Sequence, residues 1–91
     1  MRVVLSRKAN LDLIAQIDWL AGLSPSAARH AEAAIRTRLK ALAVFPLMGR
    51  AINADERVLA IRFGRDGFHV IYKVEADRLV IGRILHSRQD R

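Results

Sequence analysis

VLAIRFGRDGFHVIYKVEADRLVIGRIL, the stretch from Val58 to Leu85, decides the fold. It holds three short runs rich in β-branched and aromatic residues, Val58–Phe63, Phe68–Val74 and Leu79–Leu85. Gly64-Arg65-Asp66-Gly67 separates the first two and Glu75-Ala76-Asp77-Arg78 the second pair, both of hairpin length. The spacing predicts a three-stranded antiparallel meander.

Upstream the period changes from two to three and four. Leu13, Ile14, Ile17, Leu20 and Ala21 form an apolar stripe on a first helix that Ser6 caps and Gly22 ends. Ser24-Pro25 opens a second helix, with Ala28, Ala31, Ile35, Leu39 and Leu42 on one face and Phe45-Pro46 as its stop. The short link between them predicts an antiparallel helical hairpin. Arg2–Leu5 reads as an edge strand and Pro46–Glu56 as a loop. The expected architecture is α+β, in the order β-α-α-β-β-β, as a single domain over residues 1–91.

Length and composition bound the function. Ninety-one residues give one domain with a modest core. Because much of the apolar content is alanine, that core is expected to rest on Leu, Ile, Val, Phe45, Phe63, Phe68 and Trp19. There is no cysteine, so disulfides, thiolate nucleophiles and Cys-based metal sites are absent, which fits a reducing cytoplasm. The N-terminal segment is too short and too soon polar for a signal peptide, and no apolar run reaches the length of a membrane span. A net charge of +7, carried mostly by arginine, points to an acidic partner.

The last strand carries an argument from coverage. Simple alternation puts Leu79, Ile81, Arg83 and Leu85 on one side and Val80, Gly82 and Ile84 on the other. Both sides are largely apolar, yet two helices cover only one face of the sheet. The other face is expected to be an apolar binding surface, with Gly82 allowing close approach. A strongly curved sheet that buries both faces is the alternative.

Candidate chemistry is sparse. His30, His69 and His86 lie in separate elements without metal-ligand spacing, so neither a metal nor a cofactor is expected. Phosphate loops and nucleophile elbows are missing. What remains is a basic set, Arg57, Arg62, Arg65, Arg83, His86, Arg88 and Arg91. Arginines around a histidine can cleave RNA, the arginines stabilising the phosphorane and the histidine moving the proton. Each arginine can equally be a solvated charge or an ion-pair partner of Asp55, Glu56 or Asp66. Tyr72, centred in an apolar strand, reads as core.

The element order and four segments together resemble the RelE/ParE superfamily of type II toxin–antitoxin toxins. The segments are Phe45–Arg50 after the helical hairpin, Arg57–Arg65, Phe68–Val74 and Val80–Arg88. The resemblance implies a growth inhibitor of the plasmid-stabilisation kind, held inactive by an acidic, partly disordered, DNA-binding antitoxin. Operator DNA would be met only through that antitoxin. On this resemblance Leu79, Ile81, Arg83 and Leu85 are the expected antitoxin contacts. ParE-like members of the superfamily poison DNA gyrase, while RelE-like members cleave mRNA on the ribosome. Here His86 is followed by Ser87 and Arg88, with no tyrosine after Tyr72 and no lysine after Lys73. That ending resembles the ParE-like one, so gyrase is the expected target, met by Ile84, His86, Ser87 and Arg88. A ribosome-dependent endoribonuclease using Arg57, Arg62, His86 and Arg88 is the second reading, and an inactive antitoxin-binding module the third.

Overall fold

The computed structural model describes residues 1–88. Its elements are β1 (Arg2–Leu5), α1 (Arg7–Leu23), α2 (Pro25–Val44), β2 (Arg50–Ala51), β3 (Glu56–Phe63), β4 (Asp66–Val74) and β5 (Arg78–His86). One five-stranded sheet has the order β1-β5-β4-β3-β2. The expected meander β3-β4-β5 is antiparallel, and β1 joins β5 in parallel. The two-residue strand β2, within the expected loop, pairs with the start of β3.

Local chemistry explains the joints. Ser6 caps α1 by accepting from the Ala9 N–H, and Ser24 caps α2 by accepting from the Ala27 N–H. Ser24 also closes α1, its own N–H donating to Leu20 O, so one residue ends one helix and starts the next. In the β3–β4 turn Gly64 has φ +63°, the positive value that a two-residue II′ loop requires at its first position. Gly67, opposite Arg62, leaves no room for a side chain, since a Cβ there would meet Ile61 O at 1.9 Å.

Both helices pack on one face of the sheet. The core joins Ala9, Ala31, Ile35 and Leu42 from the helices to Leu59, Ile61, Phe68, Val70, Tyr72, Leu79, Ile81 and Ile84 from the strands. Leu13, Ile17, Leu20, Leu39 and Phe63 pack against it. Two expected core aromatics lie outside: Trp19 is 63% exposed and Phe45 64%. Trp19 falls on the flank of α1, where it lines an open cavity with His86, and Phe45 caps the end of α2, where the chain leaves the helix. Ile14 and Ala21, expected in the α1 stripe, are exposed as well.

The open face of the sheet differs from expectation. Val4, Ile71 and Val80 are half-buried there, interleaved with His69 and Lys73, while Val58 and Leu85 are buried. The large exposed apolar side chains are elsewhere. Leu11, Ile14, Trp19 and Leu23 lie along α1, and Val44, Phe45, Leu47, Met48 and Ile52 gather where α2 leads into β2.

Candidate functional site

The expected site residues come from β3, β5 and the turn after β5. Their arrangement depends on an irregularity in β5. Tyr72 stands opposite Ile81 and Ile71 opposite Arg83, so Gly82 is an extra residue, a β-bulge. Up to Ile81 the alternation is as expected. Beyond the bulge it inverts: Ile84 and His86 take the helix face, and Leu85, opposite His69, takes the other.

This corrects several assignments. Leu79 and Ile81 are fully buried in the core, and Leu85 is buried on the opposite face. None offers surface to an antitoxin, since Leu79 and Ile81 are 0% exposed and Leu85 4%. Ile84, expected to touch the target, is 0% exposed and belongs to the core. Arg83 is half-exposed, but its guanidinium is engaged: Nε donates to Asp12 Oδ2 at 2.7 Å and Nη2 to Oδ1 at 3.2 Å. The same carboxylate accepts the Ile84 N–H at 2.9 Å. Burial alone would raise the Asp12 pKa. The Arg83 and Ile84 hydrogen bonds, with the charges of Arg83 and Lys8, outweigh it and hold the carboxyl below its usual value.

His86, Ser87 and Arg88 stand at the end of β5. His86 is half-buried, its ring edge-on to Phe68 with centroids 6.1 Å apart. Its Nδ1 accepts the Arg88 N–H. A cavity of about 330 Å³ between His86 and α1 is lined by Ala15, Gln16 and Trp19. The Ser87 N–H donates to Gly67 O, and Arg88 pairs with Asp66 at 3.0 Å. Arg91 lies outside the described residues.

The four residues of the ribonuclease reading do not converge. Arg57 is at the far end of β3, its Nη1 donating to Gly49 O at 2.7 Å and Leu47 O at 3.2 Å. Five residues of strand, about 17 Å, separate it from Arg62. Arg62 lies by alternation on the face opposite Leu59, Ile61 and Phe63, whereas His86 shares the helix face with Phe68. Two strand spacings, about 10 Å, also separate β3 from β5. Tyr72 is structural: its hydroxyl donates to Pro46 O at 2.8 Å and accepts the Gly49 N–H at 2.9 Å. Among the described residues no cluster of His, Cys, Asp and Glu is suited to a metal ion.

A second feature lies at the opposite sheet edge. β2 covers only Arg57 and Val58, so no strand flanks the rest of β3 among the described residues. Glu56 O accepts the Ile52 N–H, and alternation from there turns the backbone groups of Ala60 and Arg62 outward. Beside this edge runs a groove of about 700 Å³, lined by Ala33, Ala34, Thr37 and Arg38 of α2 and by Ala60, Ile61 and Arg62 of β3. Sequence reasoning gave no sign of it, since its alanines are ordinary helix formers until α2 is laid along β3.

The family model for the ParE toxin of the type II toxin–antitoxin system parDE matches residues 3–91. The chain belongs to the ParE toxin family. It is thus the toxin of a type II toxin–antitoxin system. This ParE-family toxin is 37% identical over 89 residues to Toxin RelE3 of Caulobacter vibrioides, covering 98% of this chain and 97% of the relative. Toxin RelE1 of the same organism is 27% identical over 89 residues, covering 98% and 96%. A chain of the solved chromosomal ParDE TA system from P. aeruginosa superposes with a TM-score of 0.80 at 27% identity, covering 97% of each chain. The toxin has no helix long and apolar enough to cross a membrane among the described residues.

Proposed function

We propose that this toxin arrests growth by binding a protein target, DNA gyrase, through the end of β5 and the following turn, with His86, Ser87 and Arg88 as contacts. The observation that carries this reading is the dispersal of the basic residues. Phosphoryl transfer needs several donors aimed at one phosphate. Here Arg57 is spent on backbone carbonyls at one end of the sheet, Arg62 and His86 are on opposite faces, and Arg88 is paired with Asp66. A protein surface makes no such demand, since an exposed arginine, a half-buried histidine and the neighbouring Trp19 are typical anchors of an interface.

The antitoxin, in the same proposal, is an acidic chain that acts in the cytoplasm and covers the α2–β3 groove. An extended segment adds to the free β3 edge, its apolar side chains over Ala33, Ala34 and Ala60 and its carboxylates toward Arg38 and Arg62. Ala60→Pro tests this, because it removes an outward N–H while leaving the β3–β4 ladder intact. Antitoxin affinity should fall, and unchanged affinity rejects the groove.

The target is tested by inducing the toxin without its antitoxin. Filamentation, a DNA-damage response and inhibition of purified gyrase are the expected results. Arrested translation with mRNA cut in the ribosomal A site would replace this reading with the ribonuclease one.

A further inference from the structure

The bulge in β5 has no local cause. Gly82 does not occupy the left-handed region, and a Cβ on it would meet only Ile71 O, at an ordinary 3.6 Å. Glycine's freedom is therefore not what makes the strand irregular. The backbone groups around the bulge are met instead from the N-cap and the second turn of α1. Ser6 N–H donates to Ile81 O at 2.8 Å, Ser6 Oγ donates to Gly82 O at 3.1 Å, and Asp12 accepts from Ile84 N–H.

Two registers compete for the end of β5. In the observed one Ile84 sits opposite Val70 in the core, and His86 meets Phe68 on the helix face. Without the bulge, Arg83 would stand opposite Val70, Leu85 would replace Ile84 in the core, and His86 would turn to the open face. The exchange of Ile84 for Leu85 is nearly balanced, but the second register would also carry the Arg83 side chain onto the helix face opposite buried Val70. The difference lies in Arg83, which the observed register places against the Asp12 carboxylate.

We propose that Asp12 is the positioning residue of the toxin's target-binding end: by holding Arg83 and the Ile84 N–H it fixes the bulge, and so the face on which His86 stands. The functional part rests on the reading of His86, Ser87 and Arg88 as target contacts. The structural part does not.

The experiment uses the full-length toxin, purified from its antitoxin complex, with NMR detection of the His86–Phe68 ring contact and, in cells, growth inhibition on induction. Asp12→Ala is expected to lose the ring contact and to weaken target affinity about tenfold or more. Asp12→Asn, which keeps an acceptor for Ile84 N–H, is expected to retain the contact. Leu39→Ala, a destabilised control on α2, should retain it too. Deleting Gly82 from Asp12→Ala removes the extra residue and should restore the contact, which a purely stabilising role for Asp12 does not predict. If Asp12→Ala alone fails to fold, recovery of folding by the deletion supports the proposal and failure to recover overturns it. Persistence of the ring contact in Asp12→Ala, or its equal loss in Leu39→Ala, also overturns it. Loss of the contact with toxicity intact would reject the target reading while leaving the positioning role in place.

Discussion

The two ends of the sheet are held by opposite means. At the end where β3 begins and β4 finishes, side chains from the strands reach out to fix a loop. Tyr72 and Arg57 together bind Pro46 O, Leu47 O, Gly49 O and Gly49 N–H, and the loop presents Phe45, Leu47 and Met48 to solvent. At the end where β5 finishes, a helix reaches in to fix a strand, with Ser6 and Asp12 meeting the bulge. The first joins a fully buried phenol and an arginine to backbone groups, with no carboxylate in it. The second is a charged network at partial exposure, so its strength depends on pH and its failure changes register rather than packing.

Substitutions can break or sharpen this contrast. The largest effect is expected at Gly67, where any Cβ runs into the backbone carbonyl of Ile61, which cannot move without opening the β3–β4 pair. Gly67→Ala should cost about 4 kcal/mol or more, read by denaturant unfolding. Gly49→Ala comes next. Its Cβ would lie 2.6 Å from the Tyr72 hydroxyl and 2.9 Å from Val58 O, and overpacking of this kind costs about 3 kcal/mol. Tyr72→Phe removes the hydroxyl without a clash and strands Pro46 O and Gly49 N–H, a loss of about 1–3 kcal/mol with toxicity per folded molecule unchanged. A comparable fall in toxicity there would mean that the loop end, too, meets the target.

The charged end responds to acid. The Asp12 pKa is lower folded than unfolded, because burial is outweighed by the Arg83 and Ile84 hydrogen bonds. The stabilisation from Asp12 is therefore present above the unfolded value and is lost as pH falls through the folded one. Thermal unfolding should show a loss of stability below about pH 4 that Asp12→Asn reduces, with Tyr72→Phe leaving it unaltered. The smallest stability effect is at Arg88, whose pairing with Asp66 is largely exposed. Arg88→Ala should change unfolding by about 1 kcal/mol or less while reducing growth inhibition. Full toxicity in that variant would remove the turn after β5 from the target surface.

Much of the fold was legible because periodicity and punctuation are local. The Ala28, Ala31, Ile35, Leu39, Leu42 stripe, the capping of α2 by Ser24 and the three β-rich runs all express spacing along the chain. The two-residue strand β2 was not, since two residues carry no period. Trp19 and Phe45 were misplaced because hydrophobicity indicates which residues prefer burial but not whether surface is available to bury them. The candidate site was legible in part. His86, Ser87 and Arg88 do stand together at the end of a strand, but Asp12, 71 residues from Arg83, has no sequence signal linking it to that strand.

By itself, then, the sequence determined the order of elements, the helical hairpin, the meander and the basic character of the chain. Only the tertiary structure decided which face each residue beyond Gly82 would take. Alternation along a strand is a local rule that holds until one residue is left unpaired. Whether a residue is left unpaired depends on what meets the freed backbone groups, and here those partners come from α1, distant in sequence.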